Sequence, residues 1–276
     1  MPTARSLIWP GEDGSMYMPG DNRNSDMDIQ MTIPIFVIHY TPLVDRKEHM
    51  LKQLADHGLE AEFVTPWDRE HITDFTFFDT SKTSIRCISN LMKHCEVYRK
   101  MIRDNIPYAI VFDDDVCLAK DFNKVMNETV KNLPSTFDIC YIGDICGFHI
   151  EQTDPTTNVY LKTNKAGPVF SDRGYYMDTL GSTRGPAYLL TNACAHKIMS
   201  VFVPHYKITS LGHDHWMCLV AREKNLNVYW SEPTFVCGGS DIKTFACSLG
   251  HTEWANDVKR DRVKKFFTRE NLSILK

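Results

Sequence analysis

Between Ile33 and Trp230 the chain repeats one pattern: a short apolar run, then a longer stretch whose apolar residues recur every three or four positions. The runs are IPIFVIHY (33–40), AEFVT (61–65), YAIVF (108–112), DICYIG (138–143), PAYLL (186–190) and NVYW (227–230). Runs this short with no polar face suit strands covered on both sides. In the stretch DRKEHMLKQLADHG, Met50, Leu51, Leu54 and Ala55 share one helical face and Gly58 is the stop. From Thr83 to Asp104, Ile85, Ile88, Leu91, Met92, Cys95, Tyr98 and Ile102 keep helical spacing, and Pro107 closes that segment. Further helices are expected over 122–131, from a cap at Asn192 to Phe202, and over 213–224. Strands alternating with helices predict an α/β fold: a mainly parallel sheet flanked by helices.

Composition narrows the function. At 276 residues, with 43% hydrophobic and 24% charged content, the chain has ample material for a globular core. A net charge of −4 and a pI near 6.3 give no global attraction to nucleic acid, which is not expected as a partner. No apolar run has the length of a membrane span, and residues 1–30 lack the core of a signal peptide, so a cytoplasmic location is expected. Those thirty residues read as an N-terminal extension, and 31–276 as one domain. The nine cysteines form no CxxC pair, which argues against a zinc or thiol redox motif. They read as small apolar residues in a reducing compartment. The tail contains KRDRVKKFFTR, where Val263, Phe266 and Phe267 interleave with basic residues. It reads as an amphipathic helix docked on the core, with contact to phosphates or peripheral contact to a membrane surface as the alternative. Residues 146–182 are irregular and rich in Thr, Asn, Asp, Gly and Pro, a length more often functional than idle.

The chemistry concentrates where the strands end. In open α/β sheets ligands bind beyond the carboxyl ends of the strands. His39 to Thr41, Trp67 and Asp68, and Asp113 to Asp115 all fall at such ends. Three adjacent carboxylates resist shared ionisation, so they need solvent, hydrogen bonds or a cation. One reading is a solvated turn with an Asp capping the next helix; the other is a divalent-metal site. No GxxxxGK[ST] and no helix-opening GxGxxG occurs, which excludes the P-loop and dinucleotide readings. An acidic rim suits a divalent cation that neutralises a diphosphate.

Several segments, in order, resemble glycosyltransferase family 25. They are IFVIHYTPLVDRKEHMLKQLADHGL, KHCEVYRKMIRDNIPYAIVFDDDV, GPAYLLTNACAHKIM, and Asp214 in GHDHWM. This chain departs from the family pattern with His39 for Asn, Lys93 for Ser, Asp113 for Glu, and Cys194-Ala195 for Gly-Ala. The resemblance implies a GT-A-like, Rossmann-like fold, with a nucleotide-sugar half (31–145) and an acceptor half (146–276). It implies that Asp113 and Asp115 bracket Mn²⁺, or Mg²⁺, on the donor diphosphate, and that Asp114 reaches the ribose or sugar. Thr41 and Arg46 would line the nucleotide pocket, Asp68 would lie near the base, and His94, Thr183, Arg184 and Tyr188 would approach the donor. For Arg46 the alternative is a surface helix charge; for His94 and Tyr188 it is a place in the core. His251 is a further metal-ligand candidate.

The expected activity is transfer of galactose or glucose from a UDP-sugar to a hydroxyl of a glycan or glycoprotein. Such a transfer needs a base for the acceptor proton. Asp214 is the candidate, flanked by His213 and His215, with Trp216 as an apolar platform for a sugar face. The alternative for Asp214 is a helix cap. A catalytically silent relative that binds a glycan or a protein is the rival reading, and a metal-dependent phosphohydrolase or nucleotidyltransferase is a second.

Overall fold

The structure, a computed structural model, describes residues 33–143, 159–162, 169–170, 176–177, 185–202, 212–232, 234–240 and 245. The extension over 1–30, Thr183, Arg184, His251 and the basic tail lie outside the described residues. The strands are β1 (Ile35–Ile38), β2 (Glu62–Val64), β3 (Tyr108–Asp113), β4 (Val116–Leu118), β5 (Ile139–Tyr141), β6 (Val159–Lys162), β7 (Val169–Phe170), β8 (Tyr176–Met177), β9 (Ala187–Thr191), β10 (Val228–Glu232) and β11 (Val236–Gly238). The helices are α1 (Val44–Asp56), α2 (Ile85–Arg103), α3 (Phe122–Asn132), α4 (Asn192–Phe202) and α5 (His213–Glu223). No described helix is long and apolar enough to cross a membrane.

Seven strands form one sheet in the order β2-β1-β3-β9-β5-β10-β6. β2, β1 and β3 run parallel, as do β5 and β10, while β9 and β6 pair antiparallel with their neighbours. The expected α/β sheet is thus present in mixed form. The apolar runs carry no polar face because both faces are covered. Phe36 and Ile38 enter one core with residues of α2, α4 and α5, whereas Ile35 and Val37 enter a second with residues of α1 and α3.

Three helices end in the same way, and each then feeds a strand. Gly58, Asn105 and Asn225 all have positive φ, at 64°, 51° and 51°. Gly58 N donates to Ala55 O and Leu59 N to Leu54 O. Asn105 and Ile106 repeat the pair on Ile102 and Met101, and Asn225 and Leu226 repeat it on Arg222 and Ala221. This is the Schellman closure, in which a left-handed residue satisfies the last carbonyls and an apolar residue turns back on the helix. The α2 helix therefore ends by Asn105 chemistry before Pro107 is reached. A Cβ at Gly58 would meet nothing within 4 Å. Gly58→Ala should therefore cost about 1 kcal/mol in chemical denaturation, from left-handed backbone strain alone.

Two local expectations fail. Asn192 does not cap α4: its side-chain amide donates to Met101 O and Ile106 O, tying α4 to the end of α2. The cap is Thr191, whose Oγ1 accepts from Cys194 N. Trp216 is buried in the core and offers no face to a sugar. The periodicity also gave no sign of the ribbon in which β4 pairs antiparallel with β11.

Candidate active site

The strand order reverses between β1 and β3, the place where open α/β sheets bind their ligands. Residues 39–41 and Asp113 lie at adjoining strand ends of that rim. The antiparallel β9 brings its first residues to the same place, because Asp113 N donates to Pro186 O. The first turn of α5 arrives beside them: the Asp214 carboxylate lies 3.8 Å from where a Cβ on Gly185 would stand.

The three adjacent aspartates face three different ways. Asp114 turns inward, where Arg46 Nη1 donates to its Oδ1 at 2.7 Å and His39 Nδ1 meets its Oδ2 at 2.9 Å. Both its oxygens are engaged by buried partners, so it braces the turn. Asp115 accepts from the backbone N of Ser240 at 2.9 Å and also from the Ser240 hydroxyl, with Arg46 Nη1 at 3.6 Å. Gly239 is required here, since a Cβ would sit 2.5 Å from Asp115 O. Asp113 is the open member, with 35% of its side chain exposed. Burial of its surroundings, then the charges of Asp115, Asp214 and Asp114, push its carboxyl well above the ordinary range, with Arg46 opposing.

Arg46 is neither a surface charge nor an open pocket wall. It is buried, donates also to Ser240 Oγ at 3.2 Å, and lies 5.4 Å from the Phe245 ring centroid. Against burial, the charges of Asp115 and Asp114 raise its pKa.

A second cluster joins β1, β2 and α2. Lys93 is only 2% exposed, and its ammonium donates to Asp68 Oδ1 and Thr65 O, both at 2.7 Å. Thr41 N reaches the same Asp68 oxygen at 3.4 Å. Burial would raise the Asp68 carboxyl, but the bonds from Lys93 and Thr41 hold it below the usual value. Two of the departures from the family pattern, His39 and Lys93, are thus each matched by a buried aspartate. Trp67, at φ 72°, precedes this cluster with its side chain partly exposed on the rim. A bulky residue in that conformation is strained, and such strain gathers at functional sites.

Beneath Asp113 and Asp214 lies a buried polar layer. The His94 and His213 rings stack with centroids 3.5 Å apart and planes 7° from parallel. His94 Nε2 is 3.9 Å from Asp113 Oδ1, and His213 Nδ1 is 3.5 Å from Asp214 Oδ1. The Tyr98 and Tyr188 hydroxyls join the rings from behind. His94 and Tyr188 are therefore core residues with polar work beneath the rim. Tyr98 was legible only as an apolar position of α2, and Ser240 gave no sequence sign at all. At Cys117 a hydrogen bond from Cys237, against burial and with help from His49, pulls the thiol below its ordinary value.

Hard carboxylate oxygens at a strand end suit Mg²⁺ or Mn²⁺. No group of three or more His, Cys, Asp or Glu among the described residues forms a ready cage. A cation taken by one or two carboxylates together with substrate phosphates needs no such cage. The charge gathered around Asp113 is what such a cation would relieve, so the residues fit the group.

A model of the family described as Glycosyltransferase family 25 (LPS biosynthesis protein) matches residues 32–215, about two-thirds of the chain. The chain belongs to glycosyltransferase family 25. The matched span includes Asp113 to Asp115 and Asp214, and the mixed α/β sheet agrees with a GT-A-like fold. A search of curated proteins found no match. Among solved structures, similarity extends to A197 from STIV at 13% identity and TM-score 0.36, covering 73% of this chain and 84% of that one. A glycosyltransferase involved in glycosylation of the major capsid of PBCV-1 matches at 9% identity and TM-score 0.34, over 63% and 71% of the two chains. Mouse xyloside xylosyltransferase 1, in its apo form, matches at 10% identity and TM-score 0.33, over 70% and 69%.

Proposed function

We propose that this family 25 glycosyltransferase moves galactose or glucose from a UDP-sugar to a hydroxyl of a glycan or glycoprotein, with a divalent cation, Mn²⁺ or Mg²⁺. The observation that carries this reading is the open, charge-crowded Asp113 beside Asp214 at the switch-point rim. Asp113, with Asp115, would hold the cation, which when bound screens the charge that develops on the departing diphosphate. Thr41, Asp68 and the Trp67 face form the wall available to the nucleoside. Asp214 takes the proton of the acceptor hydroxyl as its oxygen bonds to the anomeric carbon and the bond to UDP breaks. Inversion is the outcome of that single displacement. Arg46 and Asp114 keep the acidic turn in shape.

Calorimetric titration with UDP, first with Mn²⁺ and then with EDTA, tests this. Binding should require the cation and should be lost in Asp113→Asn. A carboxyl held above its ordinary value makes the fold lose stability as pH rises from 3.8 through its folded pKa. The cation-free Asp113→Asn protein should therefore melt higher than wild type at neutral pH, with the gap closing below pH 3.8. Loss of UDP binding with a higher melting point separates a ligand-binding carboxylate from a structural one. Metal-independent binding, or none, would favour the silent relative. Release of inorganic phosphate would favour the hydrolase.

A further inference from the structure

Three short contacts form a chain beneath the two open carboxylates. His94 Nδ1 to Tyr188 OH is 2.8 Å, Tyr188 OH to Tyr98 OH is 2.7 Å, and Tyr98 OH to His213 Nε2 is 2.9 Å. All four residues are buried. The far nitrogens end the chain, His94 Nε2 facing Asp113 and His213 Nδ1 facing Asp214. His213 Nδ1 is buried with no hydrogen-bond partner, which in a native fold calls for an explanation.

Counting protons supplies one. Three hydrogen bonds need three protons, and the two hydroxyls carry two. One imidazole must donate inward and the other must accept. If His94 donates from Nδ1, both hydroxyl protons run toward His213, which accepts at Nε2 and keeps its own proton on Nδ1. If His213 donates from Nε2, the chain reverses and His94 carries its proton on Nε2. For two neutral rings the tautomers must match, so only one carboxylate can face an N–H while the other faces a lone pair. Mixed tautomers would break the central bond at 2.7 Å or send the Tyr98 proton to the weak acceptor Met217 Sδ at 3.9 Å.

We propose that His94 and His213 are positioning residues whose tautomers are locked together through Tyr98 and Tyr188, so that Asp113 and Asp214 are held in complementary settings. With Nε2–H on both rings, Asp113 meets a donor that orients it, and Asp214 meets a lone pair, the setting for a group that must accept a proton. The end contacts are 3.9 and 3.5 Å, and catalytic hydrogen bonds of this length tighten as substrate binds. Burial and the neighbouring His213 keep His94 uncharged, and burial keeps both phenols protonated. The catalytic part of this inference rests on the transferase reading; the tautomer match does not.

Nitrogen-15 spectra of the full chain labelled at histidine give the direct test, with His94→Gln and His213→Gln used for assignment. Both rings should carry the proton on the same nitrogen, and Tyr98→Phe should abolish that match. Opposite tautomers in the wild type would overturn the inference. The second readout is hydrolysis of UDP-galactose and UDP-glucose with Mg²⁺. Tyr98→Phe and Tyr188→Phe should lower kcat about 10–100-fold, as loss of an orienting partner does, while UDP still binds with Mg²⁺. Folded variants with unchanged kcat would leave the rings without a positioning role. Matched tautomers without any UDP binding would sink the transferase reading and leave the coupled chain standing.

Discussion

Asp214→Asn should lower glycosyl transfer by roughly 10²–10⁴-fold, the range for loss of a general base. Divalent-dependent UDP binding should survive, because the amide keeps the shape and the donor side of the site is untouched. The first turn of α5 should survive as well. No side-chain hydrogen bond caps this helix at Gly212, and Asp214 is one-third exposed, so little of the helix depends on its carboxylate. The thermal midpoint should stay within a few degrees of wild type. Steady-state rates with UDP-galactose and UDP-glucose, beside calorimetry with UDP, read both halves. If turnover persists, the base lies elsewhere, and the buried His213 behind Asp214 loses its catalytic reason.

Arg46→Ala should be the costlier change for the fold. The guanidinium donates to one oxygen of Asp114, whose other oxygen meets His39 Nδ1, and it also faces Asp115 at 3.6 Å. Removing it strands a buried carboxylate, which costs about 3–5 kcal/mol. Chemical denaturation should show that loss. Adding Asp114→Asn should restore part of it, because the stranded charge is then gone and the two residues are in contact. If the double variant is weaker by the full sum of the two single changes, the pair does not act as a pair. Activity should fall with Arg46→Ala too, through the shape of the turn that presents Asp113.

Much of the frame was legible because it is written in local periodicity. Ile35 to Ile38 alternate between two cores, and a strand with apolar neighbours on both faces shows that in four consecutive residues. The helical spacing of α2 and the stop at Gly58 are equally local. Asp113 to Asp115 could be placed at a strand end for the same reason, and the order of motifs pointed to the family. The orientation of each aspartate was not legible. Asp114 meets Arg46 and His39 across 68 and 75 residues, and Asp115 meets Ser240 across 125. Trp216 followed Asp214 so closely that it read as part of the site, yet the turn of α5 carries it into the core.

The sequence alone determined the α/β class, the family, and the position of the acidic rim, since strand and helix periods and motif order are properties of neighbouring residues. Tertiary structure decided which carboxylate stays open and which are braced. It also turned His39 and Lys93 into partners for buried aspartates and stacked His94 on His213. Those outcomes depend on which distant groups meet once both faces of the sheet are covered. Desolvated charges and hydrogen-bonding groups then need partners, and only the folded chain shows which ones they find.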